Sequence, residues 1–277
     1  MIVDAHHHFW QVSRGDYGWM TPDLAPLLRD FGPEDLAPLN AAAGIDRTIL
    51  VQATETEAET DFLLDLAARS ETVAGVVGWL DMTARDFRDR LAHYRAQPKW
   101  VGLRPMLQEH DPSLILSSAF RDSLAVVARQ DVPFDILTFP AHLPNLLRVL
   151  ADVPPLRGIV DHISKPDMTQ DDLGQWGRDM AALASRPTLM CKVSGLVTEA
   201  GPDWSADRIR PYLRHVANCF GPDRLVFGTD WPVCTLAATH ADVVGLARTL
   251  LGEIFTVAEL ARIFGKNAVA FYKLDAV

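Results

Sequence analysis

The sequence predicts an α/β fold, a single (β/α)8 TIM barrel over residues 1–277. Three observations predict it. Eight short runs rich in Val, Ile and Leu recur along the chain, and nearly continuous apolar runs of this length suit parallel strands buried on both faces. Amphipathic segments separate them, and strand–helix alternation implies right-handed crossovers in a parallel sheet. At 277 residues, 48% of them hydrophobic, the chain matches one barrel of about 250 residues. No Gly/Ser-rich stretch, charge block or low-complexity tract divides it.

The first strand is IVDAH (2–6). Phe9 to Asn40 follows, carrying Trp10, Tyr17, Trp19 and several prolines; it is expected to form an extended loop over the barrel mouth. TILVQA (48–53) is the second strand, and ETDFLLDLAARS after it places Phe62, Leu63, Leu66 and Ala67 at helical spacing. VAGVVGWL (73–80) and VGLRPM (101–106) are the third and fourth strands. The segment 117–131 is a helix with Phe120, Leu124, Val127 and Ala128 on one face, capped by Ser118. PFDILTF (133–139), GIVDHI (158–163), LMCKVSG (189–195) and LVFGTD (225–230) complete the eight. An open doubly wound sheet would want a glycine-rich phosphate turn after the first strand, and DAHHHFW is the opposite.

A net charge of −10 repels phosphate backbones and argues against nucleic acid as a partner. No uncharged apolar run reaches the roughly 18 residues a membrane helix needs. The opening MIVDAHHHFW lacks the basic start and long apolar run of a secretory signal. Three cysteines, Cys191, Cys219 and Cys234, form no metal-type pairs and fit a reduced cytoplasm better than a disulfide framework. Oligomeric state is open, with a homodimer as one expectation.

Strand ends converge at one face of a (β/α)8 barrel, so distant residues can share a pocket there. His6 and His8 on strand 1 point the same way and His7 the other. His162 ends strand 6, with Asp161 then facing away, and Asp230 ends strand 8. Singly each has an ordinary structural reading: a packed histidine, or an aspartate capping a loop. Together, three imidazoles and a carboxylate form a candidate site for a metal or a carbonyl oxygen. Arg104 ends strand 4, while Lys192 and Asp135 are charges inside apolar runs, awkward unless they face a polar pocket. Lys165, beside Pro166, reads as a loop charge.

DAHHHFW, VDHISKP, KVSGL, GTDWPV and the closing GKNAVAFYKL resemble, along the whole chain, the amidohydrolase 2 group of the amidohydrolase superfamily, which includes sugar lactonases and 2-pyrone-4,6-dicarboxylate lactonase. The resemblance implies a TIM-barrel hydrolase with His6, His8, His162 and Asp230 in the four strand-end roles. Binuclear members carry a lysine or glutamate on strand 4 and a histidine on strand 5, where this chain has Arg104 and Asp135. One divalent metal, zinc by ligand type, or none, is therefore expected rather than two.

The expected reaction is hydrolysis of a sugar-derived aldonolactone. Asp230 is the candidate general base. His162 and Lys192, with His6 and His8, would stabilise the oxyanion. Arg104, Asp135, Trp10, Gln52 and Trp231 are the candidate substrate contacts. Few cationic clamps and many aromatics favour a neutral lactone over a dicarboxylated one. The rival readings are an anionic or unsaturated lactone, a metal-dependent decarboxylase of the same superfamily, and a barrel that binds ligand without turnover.

Overall fold

The computed structural model describes residues 1–170 and 172–274. Eight strands run β1 (Val3–His7), β2 (Arg47–Val51), β3 (Val73–Gly78), β4 (Trp100–Leu103), β5 (Phe134–Ile136), β6 (Gly158–Val160), β7 (Leu189–Val193) and β8 (Leu225–Phe227). They pair in sequence order, each parallel to the next. A parallel bridge between His7 and Trp231 joins the last strand region to the first. His8 N–H donates to the Trp231 carbonyl at 2.7 Å, and Asp230 N–H to that of His6 at 2.7 Å. The expected barrel is the observed one.

The intervening helices are α1 (Pro33–Ala43), α2 (Glu57–Ala68), α3 (Phe87–Arg95), α4 (Ser118–Arg129), α5 (Leu143–Asp152), α6 (Gly174–Ala184), α7 (Leu196–Ala200), α8 (Ala206–Phe220) and α9 (His240–Gly252). After them come α10 (Val257–Ala261), a π-turn (Arg262–Lys266) and α11 (Asn267–Tyr272). The larger apolar core lies between strands and helices, with Leu50, Leu103, Phe134, Ile136 and Phe227 packed outward. A smaller one fills the barrel with Val3, Ala5, Ile49, Val51, Val77, Ile159 and Val226, and Phe271 and Tyr272 of α11 join it.

Two local expectations need correction. Ser117, not Ser118, caps α4: its hydroxyl accepts from Phe120 N–H at 3.3 Å. Ser117 keeps extended backbone angles, whereas Ser118 is already inside the helix, and a cap has to sit outside it. The segment after Phe9 is also not all loop. Trp10 and Phe31 pair backbone to backbone, which ties the loop into a closed excursion, and α1 occupies its end.

Candidate active site

Three strand ends, those of β1, β6 and β8, deliver the four residues His6, His8, His162 and Asp230. The register of β1 against β2 shifts between Asp4 and His7. That irregularity turns His6 and His8 into the mouth although Val3 and Ala5 already pack the interior, and it leaves His7 on the outer face against Phe9. Gly228 permits the approach of β8 to β1, since a Cβ there would lie 2.7 Å from the His6 Cβ. Strand β6 stops at Val160, and the next four residues form a tight turn. His162, Ile163, Ser164 and Lys165 all take left-handed angles, φ 51, 47, 59 and 48°. Non-glycine residues there cost roughly 1 kcal/mol or more each and cluster at functional sites. The turn corrects one expectation: Asp161, the last position in strand alternation, points inward, and the left-handed turn then swings His162 inward as well. Gly195 makes room for it, because a Cβ there would sit 2.8 Å from the His162 ring. Asp230, also left-handed at φ 58°, completes the group.

The Asp230 Oδ1 atom is the hub. Nε2 of His8 lies 3.3 Å from it, and those of His6 and His162 each lie 3.8 Å away. His8 Nδ1 donates to the Val51 carbonyl at 2.8 Å, so a neutral His8 presents a bare Nε2. His162 Nδ1 bonds the Ser194 hydroxyl at 2.9 Å. Burial pushes the pKa of all three imidazoles down, and for His6 the Lys192 and Arg104 charges add to it. Burial would raise the Asp230 carboxyl, but His162, the His8 contact and Lys165 outweigh it and hold it below its usual value. A neutral His8 Nε2 and an ionised Asp230 Oδ1 are both acceptors. Their contact closes only around a shared proton or a cation.

Beneath this group lies a buried charged layer. Lys192 Nζ pairs with Asp135, reaches Asp161 Oδ1 at 3.0 Å and donates to His6 Nδ1 at 3.1 Å. Tyr272 of α11 donates its hydroxyl to Asp135 at 2.9 Å. Arg104 contacts His6 Nε2 at 3.3 Å and Asp161 Oδ2 at 3.5 Å, and donates to the Gln52 carbonyl. The Gln52 amide returns a bond to the Arg104 carbonyl at 2.7 Å. This places Lys192 and Asp135 under the site, where they hold His6, and not among the groups that line the pocket. Gln52 likewise positions Arg104.

The pocket above has a volume of about 210 Å³ and is lined by His8, His162, Asp230, Arg104, Trp19 and Lys165 among others. Trp10 and Trp231 are not in its wall. Trp10 is buried, its Nε1 donates to the Leu27 and Arg29 carbonyls, and it packs edge-on against Trp19 at 5.6 Å. Trp231 packs on Phe9 and Phe31. These two large rings pack behind the pocket, and Trp19, anchored to the Ala53 carbonyl at 2.7 Å, is the ring that reaches the ligand space. Gln108, Glu109 and Lys165 also line it. Sequence reasoning passed over Gln108 and Glu109, whose one signal was their place just beyond Arg104. It gave Lys165 to the loop because nothing in the sequence announces four successive left-handed residues.

The donor set suits one divalent cation. His6, His8 and Asp230 offer ligand atoms within 4.8 Å of one another, and His162 borders the same oxygen. A cation would resolve the acceptor–acceptor contact of His8 with Asp230. The Nδ1–H of His8 is already held by the Val51 carbonyl at 2.8 Å, which aims its bare Nε2 at the ion. Metal-bound imidazoles commonly give their other ring N–H to a backbone carbonyl or a carboxylate in this way. The second combination, His6, Asp161 and His162, lies against Lys192 and Arg104, and two fixed cations disfavour a third.

A family model described as Amidohydrolase matches residues 3–274. An L-fucono-1,5-lactonase of Burkholderia ambifaria is 39% identical over 99% of this chain and 96% of its own length. An L-fucono-1,5-lactonase of Burkholderia multivorans is 36% identical over 98% and 96%. Among solved structures, an amidohydrolase from Burkholderia multivorans with bound zinc superposes with a TM-score of 0.94 at 33% identity, covering 99% of this chain and all of that one.

Proposed function

This chain belongs to the amidohydrolase family, and from that premise we propose that it is a sugar lactonase, hydrolysing an aldonolactone to its aldonic acid. The observation that carries the reading is the Asp230 carboxylate ringed by three imidazoles at the edge of a sugar-sized pocket. The two Burkholderia relatives are named for L-fucono-1,5-lactone, which makes it the first substrate to test.

The lactone lies with an apolar face of its ring on Trp19 and its hydroxyls toward Gln108 and Glu109. Asp230 takes a proton from water as the water oxygen bonds to the lactone carbonyl carbon. Arg104, which can only donate and meets His6 Nε2 at 3.3 Å, and His162, whose Nδ1 accepts from the Ser194 hydroxyl so that its Nε2 carries the proton, both line the pocket. These donors steady the carbonyl oxygen as it gains charge. The bond from the carbonyl carbon to the ring oxygen then breaks, and Asp230 returns its proton to that oxygen. A divalent metal, zinc by donor type, held by His6, His8 and Asp230 with His162 beside it, would polarise the carbonyl and lower the pKa of water. Among the described residues that line the pocket the one arginine is Arg104, already engaged by Asp161 and the Gln52 carbonyl, which supports a neutral lactone over a dicarboxylated one. Three unbridged cysteines fit a reducing cytoplasm, and no helix among the described residues is long and apolar enough to cross a membrane. We expect a homodimer, to be checked by light scattering.

A panel of aldonolactones, followed by acid release with and without chelator, tests the reading. Turnover of one or two L-sugar lactones supports it, and chelator sensitivity assigns the metal. Silence across the panel with a folded, metal-supplemented protein contradicts it.

A further inference from the structure

Hydrolysis of a neutral lactone creates a charge that the substrate lacked. The new carboxylate appears at the carbon attacked by water, beside the Asp230 carboxylate. Two anions at close range in a buried site repel strongly unless a cation lies between or beside them. Arg104 is the deeper candidate, but it is engaged by Gln52, Asp161 and His6. Lys192 lies below the pocket and is held by two carboxylates. Lys165 is different. It lines the pocket with Asp230 and His162, and its charge is felt at both residues. Its ammonium has one carboxylate partner among the described residues, Glu199 Oε1 at 3.3 Å, and it stands 5.4 Å from the centre of the Phe139 ring. An ammonium carries three donors, so donors remain for a ligand.

The pair is built into the wall. The Lys165 and Glu199 side chains are 16% and 19% exposed. Lys165 ends the left-handed turn that also presents His162, and Glu199 rises from α7, directly after the Gly195 that admits the His162 ring. One geometry thus sets the imidazole and the cation together. A mostly buried ion pair gains little net stability over an apolar one, so a retained charge facing a pocket points to a ligand.

We propose that Lys165, with Glu199 as its counter-ion, is the group that receives the carboxylate of the aldonate product. This rests on the lactonase reading and deepens it. Lys165 supplies charge-assisted hydrogen bonds to the product carboxylate, offsetting its repulsion from Asp230. Glu199 tempers that attraction so that the product can leave.

The test compares inhibition by L-fuconate with the KM for L-fucono-1,5-lactone in the wild type and in three variants. Lys165→Met should raise the L-fuconate inhibition constant by about tenfold or more, the loss of a charge-assisted bond, while KM for the neutral lactone changes by less than about threefold. Lys165→Arg should restore most of the product affinity. Glu199→Gln should move the constant the other way, toward tighter L-fuconate binding, because it frees the ammonium. An unchanged inhibition constant in Lys165→Met overturns the proposal, as does an equal rise in KM and in the inhibition constant. Absence of wild-type turnover on every aldonolactone defeats the lactonase reading itself and this proposal with it; turnover with an unmoved inhibition constant defeats this proposal alone.

Discussion

The floor and the mouth of the barrel use the same residue types in opposite ways. In the floor, Lys192 and Arg104 face Asp135, Asp161 and the Gln52 carbonyl, with Tyr272 closing the layer from α11. Lys192, Asp135, Asp161 and Tyr272 are committed to one another and to His6, while Arg104 also reaches the pocket wall. At the mouth, Asp230, His8 and His162 meet at one carboxylate oxygen, and Lys165 has a single carboxylate partner among the described residues. Under the proposed function, the contrast separates the residues that would carry the reaction from those that would hold them. It also separates the expected phenotypes: changes at the mouth should cost rate, and changes in the floor should cost stability.

The largest effect belongs to Asp230→Asn. Losing the base should lower kcat by about 10³-fold, within the usual range for general base catalysis, with an unchanged melting temperature. Lys192→Met comes next and reverses the pattern. It strands Asp135 and Asp161 in the interior, and removing one partner of a buried pair typically costs about 3–5 kcal/mol, read as a large fall in the denaturation midpoint. If Lys192→Met kept its stability and lost only kcat, the division between floor and mouth would be wrong. His162→Ala should lower kcat by about 10²-fold, the value of one well-aimed donor, leaving the melting temperature nearly unchanged. A rise confined to KM would move His162 to binding. Trp19→Ala removes the aromatic wall and should raise KM several-fold, by about 1 kcal/mol of lost ring contact, with kcat nearly constant.

How far these roles were legible in the sequence follows from the same contrast. The fold was legible because apolar runs and amphipathic segments are local patterns, and both alternate through the whole chain. Asp230, His6, His8 and His162 were brought to one point by strand-end logic alone. Lys192 and Asp135 were legible as charges in apolar runs, but a charge in a strand can be buried by a partner as readily as by a pocket. Their mutual pairing is a contact across 57 positions that no periodicity reports. Asp161 and Lys165 were misplaced by one cause, the left-handed turn from His162 to Lys165, which ends strand alternation early. Trp10, Trp19 and Trp231 looked equivalent as aromatics near the mouth; only the Trp10–Phe31 pairing and the Trp19 bond to Ala53 decide which ring faces the ligand.

The smallest expected effect concerns pH and stability at the edge of the mouth. Glu59 is buried and accepts from the Ala53 and Thr54 amides, and burial raises its pKa to about 7 from 4.5. The folded state then binds the proton more tightly than the unfolded one. This contribution is full below the unfolded pKa and declines as pH rises through about 7. The wild-type melting temperature should therefore fall between pH 5 and pH 8 by more than that of Glu59→Gln, which cannot ionise. Parallel curves for the two proteins would remove Glu59 from the account.

The most direct test of the central claim is a single titration of acid release from L-fucono-1,5-lactone, with wild type and Asp230→Asn side by side at equal folded concentration. The account predicts one equivalent of acid per lactone from the wild type and a rate about 10³-fold lower from the variant. Equal rates from the two proteins, or no acid from either, would contradict it.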